Sequence, residues 1–151
     1  MATLTALLAP TRGIGNPSRK PYMQELTIDL TAQAIDCSSG DIVQCITIPG
    51  NTVVLSAGVQ VVESATQNSG TDATVILGTA IDANEYVAAF DIDGAADLAY
   101  APTVAPAGVI VLATADTLDL TFAGSGATFT AGKLRVYAML MDVSEVGDKT
   151  A

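Results

Sequence analysis

The clearest signal along the chain is alternation. In Thr117–Phe122, Leu118, Leu120 and Phe122 fall on one row while Thr117, Asp119 and Thr121 fall on the other, the period of a strand with one buried face. A helical period would scatter that stripe. Leu134, Val136, Ala138 and Leu140 repeat the pattern, but their opposite row, Arg135, Tyr137, Met139 and Met141, is more apolar than a solvated face requires. This second row is expected to meet another subunit.

Six further segments rich in Val, Ile, Leu and Thr predict strands: Glu25–Ala34, Ile42–Ile48, Thr52–Val62, Ala73–Leu77, Tyr86–Phe90 and Val109–Ala113. Gly, Pro, Asp and Asn separate them. Pro49-Gly50 before Asn51 and Asn68-Ser69-Gly70 supply turn chemistry between neighbouring segments. Pro102 and Pro106 interrupt the Ala/Thr/Gly-rich stretch Ala95–Ala107, leaving room for a helical turn but not for a long helix. Eight short strands without long crossovers predict an all-β fold, an antiparallel β-sandwich of jelly-roll type.

Charge divides the chain into three parts. Residues 1–23 contain Arg12, Arg19 and Lys20 among Pro10, Gly13, Gly15, Pro17 and Pro21, with no stable period, and read as an extended N-terminal contact arm. Residues 24–143 form the β-sandwich body, and residues 144–151 a flexible C-terminal tail. Between Pro21 and Gly132 there is no Lys or Arg, although thirteen acidic residues occur there. A basic arm on an acidic body suits contact with another copy or with a different acidic partner. In that arm, Arg12, Arg19 and Lys20 are expected to make electrostatic contacts, and Tyr22 with Met23 a short apolar anchor.

Composition narrows the chemistry. The 151 residues fit one domain, half of them are apolar, and the net charge is −10, which disfavours a nucleic-acid backbone or an anionic membrane as partner. No apolar run is long enough to cross a bilayer as a helix. Histidine is absent, excluding a His-based triad and the commonest zinc ligand. Cys37 and Cys45 lie eight positions apart, outside any Cys-X-X-Cys spacing. A hairpin could bring them together, but the reading favoured is two free, partly buried thiols in a reducing cytoplasm.

No catalytic motif is completed. Arg12-Gly13-Ile14-Gly15 lacks both the dinucleotide fingerprint and a P-loop ending, and Asp116 and Asp119 fall on opposite faces of their strand. Tyr22, Tyr86, Tyr100 and Tyr137 are too dispersed to form a base-stacking platform. Asp91, Asp93 and Asp97 around Gly94 offer hard oxygen ligands of the type Ca²⁺ or Mg²⁺ takes, without the twelve-position EF-hand pattern; an ordinary acidic loop is the competing reading. No cofactor is expected.

The segments TRGIGNPSRKPYM, DIVQCITIPGNTVVLSAGVQVVES, TDATVILGTAIDANEYVAAFDIDG and TLDLTFAGSGATFTAGKLRVYAMLMDV together cover most of the chain. In this combination the sequence resembles small β-sandwich decoration or cement proteins of tailed-phage capsids. The resemblance implies a non-enzymatic structural virion protein, often a homotrimer. Such a protein is made in the host cytoplasm and carried on the outer capsid surface, where it bridges neighbouring copies of the major capsid protein. Similar sandwiches also serve as tail, fibre or adaptor modules, and a carbohydrate-binding or hydrolytic domain is the remaining alternative.

Overall fold

A computed structural model describes residues 3–8, 20–32, 35–70, 72–103, 110–125 and 128–143. These form strands β1 (Thr3–Leu8), β2 (Tyr22–Asp29), β3 (Ile42–Ile48), β4 (Thr52–Gln67), β5 (Ala73–Gly78), β6 (Val87–Asp91), β7 (Ile110–Leu112), β8 (Asp116–Gly124) and β9 (Phe129–Asp142). One 3-10 turn, Cys37–Ser39, follows Asp36, whose side chain caps it by accepting from the Ser38 amide.

The strands lie in two sheets, one ordered β1-β3-β8-β5-β6 and the other β2-β9-β4-β7. Pairing of β2 with β9, β3 with β8, β4 with β7 and β5 with β6 traces one long two-stranded ribbon. That ribbon is rolled so that β4 also meets β9 and β5 also meets β8. The result is a sandwich with jelly-roll-like strand order.

Alternation explains the layering. Leu118, Leu120 and Phe122 from one sheet, and Leu134, Val136, Ala138 and Leu140 from the other, are fully buried between the layers. Val43, Ile46, Val75, Leu77 and Val59 complete the central packing. Phe122 meets Phe129 edge to face at 5.9 Å. Complete burial of one such aliphatic or aromatic side chain contributes roughly 1.5–3 kcal/mol. β4 is bent by register shifts between Val54 and Ser56 and between Val61 and Glu63, which lets sixteen residues follow a curved partner. Close β4–β9 approach also depends on Gly132, at φ 132°: a Cβ there would lie 2.8 Å from Ala65 Cα and Leu30 Cδ1.

Each of the eight expected strands has a counterpart. The first runs over Tyr22–Asp29 rather than Glu25–Ala34, because the Asp29 carboxylate accepts from both the amide (3.0 Å) and hydroxyl (2.7 Å) of Thr31 and turns the chain. The turn at 50–51 places Asn51 at φ 56°, and carries the chain from one sheet to the other rather than closing a hairpin. Two differences lie at the N-terminus. Thr3–Leu8, read as part of an aperiodic stretch, forms a strand, and it pairs with β3 in parallel, whereas the other strand pairs are antiparallel. Six residues are too few for a period to stand out against the Gly/Pro-rich sequence that follows.

Candidate protein-interaction surface

The outward face of the β2-β9-β4-β7 sheet carries the expected interface residues of β9. Leu140 faces the core, so alternation turns Arg135, Tyr137, Met139 and Met141 outward. Register then sets their neighbours: Met23 opposite Met139, Glu25 opposite Tyr137, and Thr27 opposite Arg135 on β2. On the β4 side, Val53 stands opposite Met141, Ser56 opposite Met139, Gly58 opposite Tyr137 and Gln60 opposite Arg135. Val111 extends the first row. Three of the chain's four methionines therefore meet on one face.

Met23 keeps 60% of its surface exposed, Met139 36% and Tyr100 61%. Leu55, displaced by the β4 bulge, and Val111 are also exposed. The Tyr137 ring lies over Gly58, where a Cβ would come within 2.6 Å of Tyr137 Cζ, and meets Tyr100 edge to face at 6.0 Å and 70°. Glycine thus provides the bed on which an aromatic side chain lies flat. Tyr100 is brought there by a bridge with Gln60, a residue that strand periodicity alone did not associate with β9. A groove of about 350 Å³ opens between Met23, Glu25, Gln60, Tyr100, Arg135 and Tyr137. Partial burial, followed by the neighbouring Tyr100, raises the Tyr137 phenol above its ordinary pKa.

Charge is graded across this face. At the methionine end the described side chains are mostly apolar. At the other end Lys133 pairs with Glu63 at 2.9 Å, and Arg135 donates to Gln60 Oε1 at 3.4 Å. An exposed ion pair of the Lys133–Glu63 kind adds little stability. The face is thus apolar toward Met23 and Met139 and polar toward Lys133 and Glu63.

The remaining expected residues are placed as follows. Tyr22 stands opposite Leu140 and packs against the core, so it and Met23 point to opposite sides of β2. Lys20 is exposed. Arg12 and Arg19 lie outside the described residues, as does the 144–151 tail.

The acidic loop is organised by its own hydrogen bonds. Asp91 Oδ1 accepts from the amides of Asp93 (3.1 Å) and Gly94 (2.8 Å), whereas Asp97 Oδ1 accepts from the amide (2.8 Å) and hydroxyl (3.0 Å) of Ser64. Asp91 is lowered chiefly by its hydrogen bond with Asp93, whose own carboxyl is raised first by desolvation. Asp97 is lowered by Ser64. Asp91 and Asp93 share a groove while Asp97 is engaged on β4, and among the described residues no group of three or more Cys, Asp or Glu is arranged to hold a metal ion.

Cys37 and Cys45 are free and buried. Burial pushes the Cys37 thiol up to about 11, helped by Asp36, and the Cys45 thiol up to about 12. Asp116 accepts from the Ala80 amide and Asp119 accepts from the Thr117 hydroxyl, and burial, with the Asp116 charge adding to it, raises the Asp119 carboxyl. No helix among the described residues is long and apolar enough to cross a membrane.

No known protein family matches the chain, and no curated protein does. Solved structures do. The fold is similar to a chain of the cyanophage Pam1 capsid asymmetric unit, with TM-score 0.63 and 20% identity over 89% of this chain and 91% of that one. A chain of the Ralstonia phage GP4 capsid gives TM-score 0.65 and 19% identity over 88% and 91%. A chain of the acidic stable capsid of Helicobacter pylori bacteriophage KHP30 gives 0.57 and 11% over 82% and 90%. The chain thus shares its jelly-roll-like sandwich with components of phage capsid structures.

Proposed function

We propose that this protein is a non-enzymatic structural component of a phage virion that decorates the outer capsid surface and stabilises it by bridging neighbouring major capsid subunits. The observation that carries the reading is whole-chain similarity: the matches cover nine-tenths or more of chains in three phage capsid structures. Those chains are therefore of nearly this length, which favours an accessory subunit over a larger shell-forming one. The absence of histidine and the separate engagements of Asp91, Asp97, Asp116 and Asp119 support a role without catalysis.

Attachment works by multivalency. Three copies pack through the methionine-rich outward face, with Tyr137, Met139 and Met141 from β9 and Met23 from β2. Arg12, Arg19 and Lys20 then reach from each copy to acidic surface on the shell. Several modest contacts held on one symmetric body act at high effective concentration once the first has formed. Salt screens the cationic contacts more than the apolar ones.

The test is reconstitution on purified shells lacking this chain. The full protein is expected to bind at saturating, lattice-defined stoichiometry and to raise the temperature at which shells rupture. Replacement of Arg12, Arg19 and Lys20 by serine, which keeps the length of chain between β1 and β2, is expected to reduce occupancy while leaving the β-sheet spectrum unchanged. Failure of the full protein to bind shells, with binding to tails or fibres instead, would replace the capsid assignment with an assembly role elsewhere in the virion.

A further inference from the structure

The groove on the outward face carries two opposite charges that do not meet. Glu25 and Arg135 both line it. Register sets Glu25 opposite Tyr137 and Arg135 opposite Thr27, a diagonal that long side chains can span within one sheet. They do not span it here. Among the described residues Lys133 pairs with Glu63, whereas neither Glu25 nor Arg135 forms an ion pair.

The separation follows from the way β9 leans its outward side chains toward β4. The Tyr137 ring lies over Gly58, and the Arg135 guanidinium donates to Gln60 Oε1 at 3.4 Å. Gln60 is 7% exposed and in turn donates to the Leu98 carbonyl, which fixes the guanidinium on that side. There Arg135 makes one long hydrogen bond, and its Nε is enclosed without an acceptor, although a guanidinium offers five N–H donors. Glu25 is left on the β2 side, exposed. The groove therefore has an acidic wall, Met23 and Glu25 on β2, and a basic wall, Arg135 with the Tyr100 that bridges to Gln60. Each wall also bears a large exposed side chain, Met23 at 60% and Tyr100 at 61%.

Such a groove is complementary to itself. In a closed ring, one patch of each subunit meets a different patch of the next. With the symmetry axis beside the groove, the β2 wall of one copy faces the β4 wall of its neighbour. Glu25 then reaches Arg135, and the Met23 thioether reaches the Tyr100 ring, a favourable sulfur–aromatic contact. Two features are matched by one juxtaposition, and a second copy carries both. Within one chain the lean of β9 keeps the walls apart.

We propose that Glu25 of one copy pairs with Arg135 of the neighbouring copy across this groove, with Met23 seated on Tyr100. The proposal rests on the reading that copies of this chain assemble through this face, and its test separates the two.

Glu25→Arg, Arg135→Glu and the double variant carrying both are compared with the unaltered chain by sedimentation velocity over a dilution series. Urea unfolding is read at a concentration where each is monomeric. Like charges set face to face should raise the dissociation concentration at least about tenfold in each single variant. The double variant again sets opposite charges across the interface and should return it close to that of the unaltered chain. Singles that assemble like the unaltered chain, or a double variant as weak as the singles, overturn the pairing while assembly itself stands. Loss and recovery of monomer stability in the same pattern assigns the pair to a single chain and overturns the proposal as well. Where a reversed chain does not fold, Glu25→Gln and Arg135→Gln carry the test: once one charge is gone, removal of the second should weaken assembly no further, and an independent second loss rejects the pair. An unaltered chain that is monomeric at every concentration rejects the assembly reading, and the pairing with it.

Discussion

Truncating Met23 and Met139 together, as Met23→Ala and Met139→Ala, tests whether the outward methionine face is an interface. The two are register partners on β2 and β9, with 60% and 36% of their surfaces exposed in the isolated chain. Complete burial of a Met side chain contributes roughly 1.5–3 kcal/mol. Burial of the exposed fractions on assembly therefore contributes about 1–2 kcal/mol for Met23 and about 0.5–1 kcal/mol for Met139, scaled from the same range. Their joint loss should weaken assembly by about 10- to 100-fold, at about 1.4 kcal/mol per tenfold. Met23→Ala should change the fold little, since it is mostly exposed, whereas Met139, largely covered within the chain, should cost the monomer about 1–2 kcal/mol on the same scale. Sedimentation velocity over a dilution series reads the dissociation concentration, and circular dichroism at a concentration where both proteins are monomeric reads folding. An unchanged dissociation concentration with both monomers folded would refute the reasoning. So would a loss of assembly from Met139→Ala with none from Met23→Ala, because the effect would then follow the side chain already covered within the sandwich rather than the exposed one.

Other perturbations probe the fold and its titrating groups. Gly132→Ala combines a positive φ with a Cβ pressed against Ala65 and Leu30, and should destabilise the chain by about 2–5 kcal/mol in urea unfolding; a loss below about 0.5 kcal/mol would contradict the close β4–β9 approach. Cys37 and Cys45, buried with thiols raised to about 11 and about 12, should resist Ellman's reagent near pH ~8 in the native protein and react fully once unfolded. Rapid native labelling would contradict their placement. Asp119 is raised chiefly by burial, so the folded state holds its proton more tightly than the unfolded chain does. This contribution favours folding below the unfolded pKa and is lost as pH rises through the folded one. Asp119→Asn, which keeps an oxygen to accept from Thr117, should therefore raise Tm near neutral pH, with the gain shrinking as pH falls through the carboxylate range. A gain that grows on acidification would contradict the sign.

Much of this architecture was legible because alternation in β8 and β9 is nearly unbroken: Leu118 to Phe122 and Leu134 to Leu140 announce buried rows directly. The outward row of β9 was legible for the same reason, its Tyr and Met residues being too apolar for a fully wet face. Strand ends were less visible. Asp29 ends β2 through its side-chain hydrogen bonds with Thr31, and a sequence does not show whether an Asp will turn back on its own backbone. β1 escaped because a short strand at a sheet edge needs only one partner and bears no long apolar stripe. Tyr100 joined the candidate surface only through the approach of a distant loop to Gln60 and Tyr137, a consequence of tertiary folding that local spacing does not encode. The acidic loop shows the reverse: Asp91, Asp93 and Asp97 are close in sequence, yet Asp97 turns to Ser64 on β4.

The central claim is that this sandwich attaches to the outside of a capsid as an accessory subunit. A cryo-electron-microscopy map of particles produced with and without the chain tests it directly. The account predicts symmetric density of this fold over the junctions between major capsid subunits, present only when the chain is expressed. Density confined to the tail, or a continuous shell built from this chain itself, would contradict it.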